Sequence, residues 1–183
     1  MASQFIHITL PDGTRKQVPA GCTVREALTP EGGRLDAKVL AAKINGEPRD
    51  LSCPLEQDAT IEPLTFESAE GREVYRHSST HIMAQAVKEV FPTAQLTIGP
   101  ALDDGFYYDF AFDRPFTPED LEKIEARAIE IMKRGLTVTR SELSKQDAIK
   151  FFQERGEGYK VELINSFDDA SPISLYRQGE FVD

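Results

Sequence analysis

Two tight-turn signals, Pro11-Asp12-Gly13 and Asn45-Gly46, fall between short β-prone runs in the first 64 positions, and each obliges the chain to reverse on itself over two or three residues. Phe5, Ile6, His7, Ile8, Thr9 and Leu10 lead into the first turn and Arg15 to Pro19 leave it, which predicts an opening hairpin. Thr23 then stands as an N-cap in front of Val24 to Leu28, and Glu26 at the third position completes a capping box, so a short helix is expected there. Val39 to Ile44, the Asn45-Gly46 turn, a segment through Leu51 and a last run around Thr60 to Leu64 supply further strands.

The order ββα followed by more strands, within about 64 residues, fits a small sheet wrapped over one helix, the β-grasp arrangement of ubiquitin-like modules. Residues 1–64 are therefore expected to form one unit. Residues 65–70, Thr-Phe-Glu-Ser-Ala-Glu, are expected to link it to a second α+β unit over 71–183, in which helices pack on an antiparallel sheet.

In the second unit the period changes from two to nearly four. Val74, His77, His81, Ala84 and Val87 or Lys88 step along one helix face until Pro92 stops it after Phe91. Ala94 to Phe112, broken at Gly99-Pro100 and Asp103-Asp104-Gly105, predicts strands and a hairpin. Thr117 as N-cap, Pro118 at the first helical position and Gly135 after Lys133 and Arg134 bracket another helix, with Leu121, Ile124, Ala128 and Ile131 as its apolar stripe. Leu136 to Arg140 is expected as a strand and Ser144 as the start of a helix to about Glu154. Tyr159 to Ile164 is compatible with strand or helix, and Leu175 to Val182 with a closing hairpin.

Composition narrows the function classes. Thirty-one acidic against 21 basic side chains give a net charge of −10, which opposes non-specific adhesion to nucleic acid or anionic membrane. Any RNA contact must therefore be local and shaped. The start of the chain lacks the charge and apolar pattern of a secretory leader, and no apolar run approaches the roughly 18 residues of a bilayer span. A soluble, cytoplasmic protein with no membrane or DNA partner is expected. Cys22 and Cys53 are too few for a disulfide framework and are expected to be structural thiols.

The most informative local pattern is His77-Ser78-Ser79-Thr80-His81, because a spacing of four on a helix puts two imidazoles about one turn apart. The pair is suited to clamping one ion or one substrate. A metallopeptidase needs Glu after the first His, and Ser78 stands there. A closed zinc site needs four ligands and a catalytic one usually three. The remaining histidine, His7, and both cysteines lie in the first unit, so His77 and His81 form at most a weak two-ligand candidate. The bland alternative is a buried, hydrogen-bonded pair. Tyr107 and Tyr108 face opposite ways if their segment is a strand, and Lys160 follows a glycine-flanked turn in apolar surroundings, where it could sit beside developing negative charge. The acidic run Glu119 to Glu130 reads as a solvated helix face.

Together, Arg76-His77-Ser78-Ser79-Thr80-His81, Ile98-Gly99-Pro100, Gly105-Phe106-Tyr107-Tyr108-Asp109 and Arg155-Gly156-Glu157-Gly158-Tyr159-Lys160 resemble, in this order, the editing domain of bacterial threonyl-tRNA synthetases. The unit in front of them resembles the TGS domain of that family. Alanyl-tRNA synthetase editing domains share the His-x-x-x-His, but the attached TGS-like unit and the Gly-Phe-Tyr-Tyr-Asp run favour the threonyl family. The resemblance implies hydrolysis of serine wrongly esterified to threonine tRNA, with the acceptor end of tRNA(Thr) as partner. It implies His77, Lys160 and Asp183 as catalytic residues, and His81 and Tyr108 as substrate-binding residues. No cofactor is implied for that hydrolysis.

In the family, a Cys-x-x-x-His motif completes the pocket just past the position of Asp183. The resemblance thus implies an editing domain incomplete at its C-terminal end, with strands there left unpaired. The class II core that uses ATP, magnesium and zinc is also outside these 183 residues, so the chain is expected not to aminoacylate and to be a monomer, where the parent enzyme is a dimer. The competing readings are a non-catalytic TGS-containing module that binds RNA or protein, and a metal-binding protein centred on His77 and His81.

Overall fold

The computed structural model describes residues 4–168 and 172–183. It divides into two compact units, residues 1–75 and 76–183. The first is built from β1 (Phe5–Thr9), β2 (Arg15–Pro19), α1 (Val24–Leu28), β3 (Ala41–Ile44), β4 (Glu47–Arg49) and β5 (Ala59–Leu64). The strands form one sheet in the order β2-β1-β5-β3-β4, with β1 and β5 parallel at its centre and the other pairs antiparallel.

This is the expected β-grasp, and its residues show why. In β1, Ile6 and Ile8 are buried while Phe5 and His7 face out, the period-two signature of a sheet covered on one side. Those two isoleucines pack with Ile61 of β5 and with Val24 and Ala27 of α1. Each fully buried aliphatic chain contributes about 1.5–3 kcal/mol. Thr23 and Glu26 make both bonds of the capping box. The Asn45-Gly46 turn has φ of 51° and 88° at its two residues, the left-handed pair that a two-residue hairpin between right-twisted strands requires. Cys22 and Cys53 are free thiols packed against this core.

The division between the units falls within α2 (Ala69–Val90), whereas the sequence placed a linker at 65–70. Ser68 accounts for the early start of α2: its hydroxyl accepts from the Gly71 amide and its carbonyl from the Arg72 amide, so it acts as the N-cap. Gly71 is needed there, because a Cβ at that position would overlap the Thr65 carbonyl.

The second unit continues through β6 (Gln95–Leu96), β7 (Phe110–Ala111), α3 (Pro118–Arg134), β8 (Val138–Leu143), α4 (Lys145–Gln153), α5 (Gly158–Asn165), β9 (Ile173–Gln178) and β10 (Phe181–Val182). It is α+β, with β10-β9-β8 as an antiparallel sheet and β6-β7 as a short separate pair. One face of the larger sheet, carrying Ile173, Leu175 and Val182, packs on Ala148 and Phe152 of α4 and Ile164 of α5. A second cluster joins Ala86 and Val87 of α2 to Ile124 and Ile131 of α3, and a two-pronged Arg134–Glu89 pair at 3.0 and 2.9 Å holds the end of α3 to α2.

Some local expectations hold and others shift. The closing hairpin forms, with β10 paired to β9. Tyr159 to Ile164 is helical. The 94–112 segment is a hairpin whose regular pairing is confined to β6-β7 and an Ala101–Phe106 bridge. The strand expected at Leu136 to Arg140 runs instead from Val138 to Leu143, because its register with β9 extends from Val138–Gln178 to Leu143–Ile173. In α3, Leu121 is 58% exposed and Asp120 is buried. The inward stripe runs 120, 124, 128 and 131, because the Asp120 carboxylate turns in to accept from the Thr117 amide and Arg114.

Candidate active site

The helix face that carries His77 and His81 looks onto the face of the β8–β10 sheet opposite its apolar core. Their ring centroids are 4.5 Å apart in an edge-to-face contact. His77 is exposed and His81 buried, so one imidazole meets solvent and the other is sealed. Burial is the main cause of a depressed His81 pKa, about 4, outweighing the opposing attraction of Asp183. At neutral pH that ring is uncharged and keeps one acceptor nitrogen.

Tyr108, Lys160 and Asp183 meet beside His81. Asp183 follows β10 and continues its pairing with β9, exchanging both backbone hydrogen bonds with Tyr176 at 2.8 and 3.0 Å. Its carboxylate takes the Lys160 ammonium on one oxygen and the Tyr108 hydroxyl at 2.8 Å on the other. The second oxygen also lies 3.8 Å from Nε2 of His81. Lys160 donates to the Tyr108 hydroxyl at 3.0 Å. Lys160 and Asp183 are only 11% and 7% exposed at their side chains. Burial, and then the neighbouring Asp183 charge, raise the Tyr108 pKa, so the phenol stays a neutral donor.

Local structure explains these positions. A Cβ on Gly99 would land inside the Tyr108 ring, so glycine is what lets the hairpin arms close and turn Tyr108 inward. Tyr107, one residue earlier, is 45% exposed, so the two tyrosines face apart although neither lies within a regular strand. Lys160 sits in the first turn of α5, whose preceding residue, Glu157, is buried and bonded to the Leu96 amide at 3.3 Å and to Lys88 at 2.8 Å. The Glu157–Lys88 pair thus fixes the start of α5 against α2 and aims Lys160 at Asp183.

All five residues singled out in the sequence, His77, His81, Tyr108, Lys160 and Asp183, come together from α2, the 94–112 hairpin, α5 and the end of β10. The sequence reading missed Tyr176, whose ring lies 5.5 Å from His77 and 5.4 Å from His81. No motif marks it, and only its place in β9, opposite Asp183, brings it here. It also gave no supporting role to Glu157 and Lys88. Among the described residues, no group of three or more His, Cys, Asp or Glu side chains is placed to hold a metal ion. No helix among them is long and apolar enough to cross a membrane.

The arrangement offers a buried cation and a phenol donor on a shared carboxylate, next to one neutral and one solvent-facing imidazole. That combination can polarise a carbonyl, stabilise an oxyanion and orient water.

Comparison with known proteins adds an independent observation. A family profile for the TGS domain matches residues 6–65. The chain is 51% identical over 181 residues to a threonine–tRNA ligase of Symbiobacterium thermophilum, covering 99% of the chain and 28% of that relative. It is 48% identical over 179 residues to one of Acetivibrio thermocellus, covering 98% and 28%, and 50% identical over 179 residues to one of Acidithiobacillus ferrooxidans, covering 96% and 27%. The chain spans about 28% of the length of the curated relatives it matches.

Proposed function

The chain corresponds over nearly its whole length to the N-terminal region of bacterial threonine–tRNA ligases and carries a TGS domain; from that premise we propose that its second unit hydrolyses seryl-tRNA(Thr), the mischarged product of such a ligase. The observation that carries this reading is the buried Lys160–Asp183–Tyr108 cluster set against the His77–His81 pair.

The chemistry has a physical rationale. Serine differs from threonine by one methyl, and a pocket discriminates over one methyl by only about 1–3 kcal/mol. A second site that accepts the smaller ester corrects the error. In this reading, solvent-facing His77 takes a proton from water as it attacks the ester carbonyl. Lys160 stabilises the oxyanion of the tetrahedral intermediate, which collapses and expels the ribose oxygen of the terminal adenosine, and the His77 imidazolium returns its proton to that oxygen. Asp183 keeps Lys160 and Tyr108 in place, while His81 and Tyr108 hold the seryl and adenosine groups. The reaction calls on no ATP, magnesium or zinc; these belong with the ligation reaction, for which no residue of this chain is put forward. The acceptor end of tRNA(Thr) is the partner and the cytoplasm the place of action.

Single-turnover deacylation of seryl- and threonyl-tRNA(Thr) by the 183-residue chain tests the proposal. The expected result is preferential seryl hydrolysis, slowed by about 10²-fold or more in His77→Ala and Lys160→Ala, with tRNA binding little changed. A folded chain that binds tRNA without hydrolysing it would refute the proposal and leave a non-catalytic RNA-binding module.

A further inference from the structure

Tyr176 occupies a place in the site that the hydrolytic reading leaves unused. Its backbone is paired to Asp183 in both directions, so the two side chains leave the same face of the sheet directly opposite one another. Asp183 reaches Lys160, Tyr108 and His81, while the Tyr176 ring meets both imidazoles, at 67° to His77 and 43° to His81. The three rings form a triangle with centroid separations of 4.5, 5.5 and 5.4 Å. Edge-to-face and tilted contacts of this kind favour a narrow range of ring orientations.

On the far side, the directly opposite residue on β8 is Arg140. The Tyr176 hydroxyl interacts with its guanidinium, which is also paired with Glu142 at 2.7 Å. Tyr176 is therefore held at two points, its backbone by Asp183 and its ring by the histidines. It links the carboxylate–lysine half of the site, carried by β10 and α5, to the imidazole half, carried by α2, beside the 3.8 Å approach of the Asp183 carboxylate to His81.

We infer that Tyr176 is a positioning residue for the hydrolytic site, its ring setting the orientation of His77 and its backbone tying that orientation to the place of Asp183. The inference rests on the proposed hydrolysis for its consequence in rate, but not for its geometry. His77 is exposed and on the helix side has one imidazole, His81, as its ring neighbour. Removing the Tyr176 ring frees it to turn between staggered rotamers. A displacement of about 1 Å in a reacting group costs about 10²-fold in rate.

The test uses Tyr176→Phe, Tyr176→Leu and Tyr176→Ala with two independent readouts. Deacylation of seryl-tRNA(Thr) is expected to fall by about 10²-fold in kcat for the Leu and Ala variants, with KM within about twofold and the Phe variant near wild type. NMR of the imidazole rings is expected to show loss of the fixed His77–His81 contact in Leu and Ala and its retention in Phe. It should also show the His81 titration midpoint moving up from about 4 as water reaches the ring. The groups facing His81 in that titration are His77, Tyr108, Lys160, Asp183 and Tyr176 itself. If Tyr176→Leu, which keeps the bulk when Ala unfolds, leaves the ring contact, the titration and kcat unchanged, the inference is overturned. If the wild-type chain proves inactive, the hydrolytic reading fails, and the NMR arm still decides whether Tyr176 orients the histidines.

Discussion

Replacing Asp183 by Asn keeps the size of the side chain and removes its charge, and so isolates the electrostatic core of the site. Asp183 and Lys160 are 7% and 11% exposed at their side chains, so the ammonium left behind in Asp183→Asn has lost its counter-ion with little access to water. Removing one partner of a buried pair costs about 3–5 kcal/mol. For a unit of about this size that is a fall of roughly 12–30 °C in melting midpoint. Four of the five tyrosines, 107, 108, 159 and 176, lie in the second unit. Urea or thermal unfolding followed by tyrosine near-UV circular dichroism therefore reports on that unit. The companion Lys160→Met should also destabilise, but less, since the carboxylate keeps the Tyr108 hydroxyl at 2.8 Å. The double variant Lys160→Met/Asp183→Asn should lose less than the sum of the single losses, because it leaves no unpaired charge. Single losses below about 0.5 kcal/mol, or losses that simply add, would refute the view that these charges are buried as a pair.

Two further outcomes follow from the same geometry. His81 has a folded pKa of about 4 against the usual 6.5, so between those values the unfolded chain binds more protons and stability drops as pH falls through the window. The loss reaches about 3 kcal/mol; urea midpoints at pH 7, 5.5 and 4.5 should show it, and a His81→Asn variant with the same pH slope would exclude His81 as its source. Gly99→Ala should push the Tyr108 ring out of place, destabilise the second unit by about 1–3 kcal/mol and abolish deacylation while the β-grasp unit stays folded; an unchanged melting midpoint would show that the hairpin arms yield without cost.

Local signals were legible residue by residue. The positive φ values at Asn45 and Gly46, the capping boxes at Thr23 and Thr117, the Ser144 cap and the end of α2 before Pro92 each depend on steric and hydrogen-bonding needs confined to three or four neighbours. The five site residues were reached through motif resemblance. Their convergence from α2, the hairpin, α5 and the end of β10 was not contained in any spacing. The start of α2 at Ala69 is not legible there, because Ser68, which caps it, stands in a polar stretch that fits a linker equally well.

What the sequence determined by itself was the punctuation: where strands reverse, where helices begin and stop, and which faces carry apolar residues. Tertiary structure alone decided that Asp120 and not Leu121 turns inward, that β8 reaches Leu143, and that Tyr176 stands between the histidines and Asp183. It also decided the state of the site's charges. Lys160 and Asp183 are ordinary ionisable residues in the sequence. Their burial against each other, and the exclusion of water that keeps His81 neutral, exist only when elements 75 residues apart in the chain close on one another. Desolvation is a property of the packed neighbourhood, and no local pattern records it.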